Sequence, residues 1–277
     1  MFLNKMMRFM LTLGLLLLSS CHFADLGGFF LSDSDVDERF AWSLEQSAPD
    51  AVSITSESFS FLAVTDTHYY QDSGWGAAFQ QLSGEVLPDD EFLIIDGDLM
   101  QSGYATTYDK LLSDISNVGL PFYTAVGNHD LYHDGWKKFR ELYGPSVYSL
   151  GMGSLRLICL DTANGTLGEK QWKWLKKELR SYTEEWCVIM THANLFASGP
   201  EQIQQITDYQ ELYAMMDLFE SSGVDLVLSG HAHKEDDRTI NGVRYVTMDT
   251  FKEDERPWDY YRIRISPEEI DIDFLRL

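Results

Sequence analysis

The chain has 277 residues and carries 44 acidic side chains against 21 basic ones, which gives a formal charge of −23. A field of this sign repels nucleic-acid backbones and anionic lipid surfaces, so a nucleic-acid polymer is not an expected partner. The length lies within the range that a single α/β domain occupies.

The first twenty residues have the pattern of an export signal. A basic start precedes an apolar run at 9–18, and two small residues then precede Cys21. The run is too short to cross a bilayer as a helix, which takes about 20 apolar residues. This order of basic, apolar and small residues predicts a signal peptide at residues 1–20.

The end of this segment, Leu-Ser-Ser-Cys at 18–21, resembles the lipobox of bacterial lipoprotein signals. In that family the cysteine becomes the lipidated first residue of the mature protein. The resemblance implies an exported protein with a lipid anchor on Cys21, on the outer side of the cytoplasmic membrane or in the cell envelope. The alternative is an ordinary cleaved signal with an incidental cysteine. Residues 21–56, acidic and weakly patterned, are predicted to be a tether.

Two further cysteines lie in apolar runs that are typical of buried strands. These are Cys159 and Cys187, and in such places a cysteine behaves as a small hydrophobe. An exported protein could join them in a disulfide. The sequence does not place their Cα atoms within bonding range, so two buried thiols are the favoured prediction.

After the tether, strand-like and helix-like segments alternate, which predicts an α/β architecture. The predicted strands are 59–65, 92–95, 121–126, 148–150, 155–161, 184–191, 225–229, 244–248, 260–265 and 270–275. The predicted helices are 75–87, 104–118, 134–143, 169–182 and 208–222. No internal repeat or long linker divides this body, so residues 57–277 are predicted to form one domain.

Five short motifs rich in metal-binding side chains each follow a predicted strand. Their candidate ligands are Asp66 and His68, Asp98, Asn128, His192, and His231 with His233. In α/β sheets, ligands gather outside the carboxyl ends of strands, so these side chains are expected to meet. Carboxylates and imidazoles suit zinc, iron or manganese, whereas a calcium site would use oxygen alone. Asp98 follows a central strand and can offer two oxygens to two cations, which makes it the candidate bridging ligand.

The five motifs, in this order, resemble the calcineurin-like metallophosphoesterase superfamily over about residues 59–248. The segment Gln-Trp-x-Trp-Leu at 171–175 also resembles the bacterial phosphodiesterase branch of that superfamily. The resemblance implies a four-layer α/β/β/α sandwich of two mixed sheets. It also implies a metal-dependent hydrolase of small phosphate esters, with phosphodiesters as the favoured substrates.

By the same resemblance, each candidate residue has a role around two divalent ions, Mn, Fe or Zn. The ligands of one ion are Asp66, His68 and His233, those of the other are Asn128, His192 and His231, and Asp98 is the bridge. A bridging hydroxide attacks phosphorus in line in such enzymes. His129 matches the residue that acts near the leaving group, and Asp130 matches its orienting partner.

Departures from related enzymes leave the substrate open. Gln101 stands where purple acid phosphatases have a tyrosine and many cyclic-nucleotide phosphodiesterases have an aspartate. The Asp-x-His motif at 66–68 also differs from the Asp-x-Gly of purple enzymes, so a tyrosinate-ligated purple enzyme is not expected. Ala-Asn-Leu at 193–195 replaces a proline-bearing loop.

Other residues near the motifs carry weaker predictions. Tyr69 and Asn194 are candidates for substrate binding, although ordinary packing of Tyr69 is an equal alternative. His133 matches no ligand and is expected on the surface or at a helix end. Two alternative functions stay open: a non-catalytic metal-binding surface lipoprotein, and a phosphomonoesterase. The presence of both His129 and Asp130 argues against the first, since a pure metal binder needs neither. Substrates linked to phospholipid near the anchor are a further possibility.

Overall fold

The computed structural model describes residues 32–33, 35–70, 76–103, 107–196, 205–206, 208–252 and 256–277. The predicted signal peptide and Cys21 lie outside these ranges. Within the described part of the chain, none of the helices combines the length and the apolar character that a membrane span needs.

Strands and helices alternate along the chain, as the sequence predicted. The strands are β1 (Phe59–Val64), β2 (Asp90–Asp96), β3 (Phe122–Ala125), β4 (Tyr148–Met152), β5 (Leu155–Leu160), β6 (Trp186–Thr191), β7 (Leu226–Ser229), β8 (Asp236–Ile240), β9 (Val243–Thr247), β10 (Asp259–Ile265) and β11 (Ile270–Arg276). The helices are α1 (Val36–Glu45), α2 (Ala77–Glu85), α3 (Tyr108–Ser116), α4 (Gly135–Leu142), α5 (Gly168–Ser181) and α6 (Tyr209–Ser222), and a short 3-10 helix covers His129–Leu131.

The strands form two mixed sheets. One has the order β11-β10-β1-β2-β3, and the other has the order β4-β5-β6-β7-β9-β8. Strands β1, β2 and β3 are parallel to one another, as are β5, β6, β7 and β9. Antiparallel strands border these parallel groups. Within each sheet, the loops that carry the motifs therefore leave from the same edge.

Successive residues of a strand point to opposite faces, so each sheet contributes side chains to a core on either side of it. One core lies between the two sheets, and a further core lies on the outer face of each sheet. Between the sheets, Phe61 and Ile94 of one sheet share a core with Leu157 and Met190 of the other. This shared core makes the two sheets the inner layers of the molecule.

Helices cover the two outer faces. Leu82, Leu111 and Phe139, from α2, α3 and α4, pack on the five-stranded sheet. Leu175 of α5 and Phe219 of α6 pack on the six-stranded sheet. The result is a four-layer α/β/β/α sandwich, which confirms the predicted fold class.

Besides the short 3-10 helix, one strand and one helix were not predicted. Strand β8 is a mostly exposed edge strand that pairs only with β9, and its polar sequence has no apolar alternation. Helix α1 begins after Asp35, whose side chain accepts a hydrogen bond from the backbone N–H of Glu38. It packs against α5, so this part of the predicted tether at 21–56 belongs to the packed structure.

The two cysteines are free, buried thiols, as predicted. Cys159 lies in the core between the sheets, whereas Cys187 lies in the core between the six-stranded sheet and its helices. They point to opposite faces of one sheet, and this orientation prevents a disulfide between them.

Candidate metal centre

The structure brings the predicted ligands together at the carboxyl ends of five strands. Ligand atoms within 4.8 Å of one another form three overlapping groups: Asp66, His68 and His233; Asp98, His192 and His231; His68, Asp98 and His129. The first two groups have the same aspartate and histidine members as the predicted ligand sets of the two ions. The third group places a ring nitrogen of His129 within 4.8 Å of ligand atoms of His68 and Asp98.

Asp98 connects the two ligand groups. Its Oδ2 lies 3.3 Å from Nε2 of His192 and 3.7 Å from Nε2 of His68. In the first group, Oδ1 of Asp66 lies 3.2 Å from Nε2 of His233. One carboxylate oxygen of Asp98 thus faces a ligand from each group, so a bridge through Asp98 would use this single oxygen instead of the two that were predicted.

Hydrogen bonds to the protein hold the other oxygen of each carboxylate. Oδ2 of Asp66 accepts from the Thr65 hydroxyl and from the backbone N–H of His231, both at 2.8 Å. Oδ1 of Asp98 accepts from the backbone N–H of His129 at 2.8 Å. Such bonds orient metal ligands and leave one oxygen of each carboxylate for a cation.

His192 is fixed in the same way. Its Nδ1 pairs with the backbone carbonyl of Asp96 at 2.8 Å. This carbonyl can only accept, so Nδ1 carries the proton, and Nε2 of the neutral ring presents its lone pair. The tautomer is therefore the one that a metal ion on Nε2 requires.

Several buried ligand atoms have no hydrogen-bond partner among the described residues. These are Oδ1 of Asp66, Oδ1 of Asn128 and Nε2 of His192. A buried polar atom without a partner is destabilising by about 1–3 kcal/mol. The two oxygens, and Nε2 of His192 once it has lost its proton, are donors of an electron pair, so divalent cations would satisfy them. Carboxylate, amide oxygen and imidazole together fit manganese, iron or zinc.

The backbone at the centre is locally strained. Seven non-glycine residues among those described have a positive φ, and five of them are candidate ligands. Their φ angles are 51° for Asp66, 42° for His68, 48° for Asp98, 68° for His231 and 46° for His233. Left-handed backbone is unfavourable by about 1–2 kcal/mol per residue, and such strain concentrates at functional sites. These turns direct the side chains back over the strand ends.

Glycines in the motifs provide space as well as conformational freedom. Gly97 has a φ of 84°, a left-handed conformation that glycine adopts without steric cost. Gly127 and Gly230 do not have a positive φ. A Cβ on Gly127 would lie 2.1 Å from the backbone nitrogen of Asp98, and one on Gly230 would lie 2.5 Å from Oδ2 of Asp66. These two glycines therefore allow neighbouring loops to approach closely.

Charges at the centre shift the pKa values of its ligands. Burial alone would lower the pKa of His192, but the carboxylates of Asp98 and Asp66 raise it to about 10. Burial lowers the pKa of His68 to about 4. Burial opposes ionisation of Asp66 and Asp98, but the neighbouring histidines hold both pKa values below the usual range. Without metal, both carboxylates are ionised and His192 holds a proton.

His129 is positioned by a backbone group. Its Nδ1 pairs with the carbonyl oxygen of Gln101 at 2.7 Å, and its ring meets the ring of His68 edge-on at a centroid distance of 4.6 Å. The carbonyl occupies Nδ1, so Nε2 is the ring nitrogen left for another partner. The contact between His129 and the carbonyl of Gln101 was not predicted, because a sequence pattern of side chains does not indicate which backbone carbonyl will accept a hydrogen bond.

Asp130 does not orient His129, so that predicted role is wrong. Its buried carboxylate accepts hydrogen bonds from the backbone N–H groups of Leu99, Met100 and Gly127. Burial, together with the charge of Asp98, raises its pKa to about 7. Asp130 lies next to His129 in the 3-10 helix, and its carboxylate binds these backbone groups instead of the imidazole. Asp130 therefore ties the loop of Asp98 to the loop of Asn128.

Neither candidate for substrate binding is available to a substrate in the structure. Tyr69 is 1% exposed and its hydroxyl donates to Oδ2 of Asp114 at 2.7 Å, which agrees with the packing alternative. Asn194 is also 1% exposed, and its amide nitrogen donates to the carbonyl of Phe196. His133 is half-buried and lines a separate cavity of about 410 Å³ between α1 and α4.

Comparisons with known proteins agree with this geometry. Residues 59–235, more than half of the chain, match the family model described as "Calcineurin-like phosphoesterase". A Synechococcus protein named "Probable cyclic nucleotide phosphodiesterase" is 26% identical over 166 residues, which are 52% of this chain and 58% of that protein. A "3',5'-cyclic-nucleotide phosphodiesterase" of Nostoc is 26% identical over 178 residues, which are 58% of this chain and 63% of that protein. The chain thus spans less than two thirds of the length of these relatives.

Among solved structures, a dimetal phosphatase from Danio rerio has a TM-score of 0.65 at 13% identity. The likeness covers 79% of this chain and 96% of that one, and at this identity it shows the fold alone. The match over residues 59–235, together with the five motifs in one centre, leads to one conclusion: the chain belongs to the calcineurin-like phosphoesterase family.

Proposed function

We propose that this protein is a phosphodiesterase that works with two divalent metal ions. The observation that carries the proposal is the pair of ligand groups joined by Asp98, with His129 beside them. The names of the Synechococcus and Nostoc relatives support a diester as the substrate. A cyclic nucleotide is the first diester to test for the same reason.

The proposal keeps the division of ligands between two ions that the family resemblance implies. One ion would be bound by Asp66, His68 and His233, the other by Asn128, His192 and His231, and Asp98 would contact both. When bound, two divalent ions lower the pKa of a coordinated water and stabilise the charge on phosphoryl oxygens. They would also make the centre locally positive within a chain whose formal charge is −23, so that an anionic ester can bind.

In this proposal, His129 protonates the leaving oxygen. Its backbone N–H holds Oδ1 of Asp98, and its Nδ1 is held by the carbonyl of Gln101. One residue thus positions the bridging carboxylate and presents a proton donor next to it. General acid catalysis of this kind contributes about 10²–10⁴-fold to a rate. A protein that only binds metal has no use for such a group.

The proposal includes export and a lipid anchor on Cys21. It rests on the signal pattern at residues 1–20 and on the lipobox-like sequence at 18–21. Metabolic labelling with a radioactive fatty acid tests it. Incorporation that is lost in Cys21→Ala supports the anchor, and labelling that persists in the variant refutes it.

The test of activity uses the full chain, purified in detergent, chelated and then reloaded with manganese. Hydrolysis of bis-nitrophenyl phosphate is compared with hydrolysis of the matching monoester, and chelated protein is the control. We expect diester turnover that disappears on chelation. A preference for the monoester would identify a phosphatase instead. Two bound metal ions with no turnover of either ester would favour a metal-binding lipoprotein.

A further inference from the structure

Helix α1 is held to the domain by a buried ion pair. Arg39 donates from Nε and Nη2 to the two oxygens of Asp161 at 2.8 and 2.9 Å, and neither side chain is exposed. Its Nη2 also donates to Oδ1 of Asn164 at 2.7 Å. A buried ion pair is often no more stabilising than apolar packing, so its specific geometry calls for another explanation.

Asp161 is itself fixed from several sides. The hydroxyl of Ser146 donates to its Oδ2 at 2.9 Å. The side-chain amide of Gln171, on α5, accepts from the backbone N–H of Asp161 at 2.9 Å and donates to its carbonyl at 2.8 Å. Arg39 therefore completes a set of bonds that fixes the first residue after strand β5.

Thr162, which follows Asp161, forms hydrogen bonds with both residues that flank the candidate metal ligand His192. The hydroxyl of Thr162 accepts from the backbone N–H of Ala193 at 2.9 Å and shares a hydrogen bond with the hydroxyl of Thr191 at 2.8 Å. Thr191 and Ala193 flank His192. A displacement of the loop that begins at Asp161 would therefore move the backbone on both sides of His192.

We propose that Arg39 is a positioning residue for His192 and acts through Asp161 and Thr162. Helix α1 is then part of the catalytic unit and more than a connection between an anchor and a domain. The inference deepens the proposed function and rests on it to the extent that His192 binds a metal ion.

The chain offers a matched control for this ion pair. Arg262 forms a second buried pair, in which its Nε lies 3.0 Å from Oδ1 of Asp90, with side chains 7% and 0% exposed. Asp90 begins strand β2, whereas the metal centre lies beyond the other end of that strand. Arg39→Met and Arg262→Met therefore leave equivalent buried carboxylates unpaired, but only the first lies on the route to His192.

A second pair of variants leaves both ion pairs intact, in case Arg39→Met fails to fold. Thr162→Val removes the hydroxyl and keeps the shape of the side chain, whereas Thr162→Ser keeps the hydroxyl. All variants are made in the full chain. Mn²⁺ affinity is measured by titration calorimetry, and hydrogen exchange of residues 188–195 is measured in the metal-free protein.

We expect Arg39→Met and Thr162→Val to weaken the binding of one Mn²⁺ by about 10–100-fold, the usual effect of losing an outer partner of a ligand. Both should also increase exchange at 188–195, while Thr162→Ser and Arg262→Met retain wild-type values. Equal effects of Arg262→Met, or no effect of Thr162→Val, would overturn the inference. If the wild-type chain binds no metal, the proposed function fails, and exchange at 188–195 still decides whether Arg39 positions this segment.

Discussion

Replacing Gly97 by alanine would test whether the crowding around His192 determines metal binding. A Cβ at this position would lie 2.4 Å from Nδ1, 2.5 Å from Cγ and 2.7 Å from Cβ of His192, and φ is 84°. The His192 ring is fully buried and its Nδ1 is held by the carbonyl of Asp96 at 2.8 Å. Real Cβ atoms do not approach so closely, so the ring or the loop must move.

Two effects contribute to the loss of stability expected for Gly97→Ala. Left-handed backbone destabilises a non-glycine residue by about 1–2 kcal/mol. The overlap with a packed ring adds about 1–3 kcal/mol, as overpacking usually does. Gly119 and Gly144 are matched controls, since their φ angles are 85° and 86° and an added Cβ would meet no atom within 4 Å. The loss of stability caused by alanine at either control position therefore measures the cost of the left-handed backbone alone, without the steric overlap.

Urea unfolding of the metal-free proteins would measure these free energies, and titration calorimetry with Mn²⁺ would measure metal binding. We expect Gly97→Ala to unfold more easily than both control variants and to lose the binding of at least one ion. The controls should bind two ions with wild-type affinity. If Gly97→Ala matched the controls in stability and still bound two ions, the ring position would not depend on the glycine.

Three further predictions concern His129, Tyr69 and His192. His129→Ala should keep both metal ions and lose about 10²–10⁴-fold in turnover, measured with the diester assay; normal turnover in the metal-loaded variant would refute an acid role. Tyr69→Phe should leave KM unchanged and lower stability by about 0.5–1.5 kcal/mol, because the residue is buried and its hydroxyl donates to Asp114; a raised KM would return Tyr69 to the substrate site. The pKa of His192 in the metal-free protein is about 10, so metal and proton compete for its Nε2 at every pH below about 10. Mn²⁺ binding at pH 8 should release a proton and strengthen as pH rises, measured by calorimetry in buffers of different ionisation enthalpy; binding without proton release would contradict the charge assigned to His192.

The α/β architecture and the ligand types could be derived from the sequence, since both leave local patterns, whereas the four-layer arrangement was implied by the resemblance to the family. Apolar strands followed by carboxylate, amide and imidazole side chains recur five times, and parallel strands bring such ends to one edge of a sheet. The same logic placed Cys159 and Cys187 in buried strands, where the structure has them as free thiols. Helix α6 begins after Asp208 and ends before Gly223, within a residue of its predicted bounds.

Contacts between distant segments have no such pattern, and the tertiary structure alone decided them. Asp130 stands beside His129 in the sequence, yet its carboxylate binds backbone groups of two loops while a carbonyl of Gln101 holds the imidazole. Arg39 lies in an acidic stretch that reads as a tether, and it becomes buried because Asp161, 122 residues away, pairs with it. Local sequence determines which side chains follow each strand, whereas their partners depend on how separate loops pack at the sheet edge.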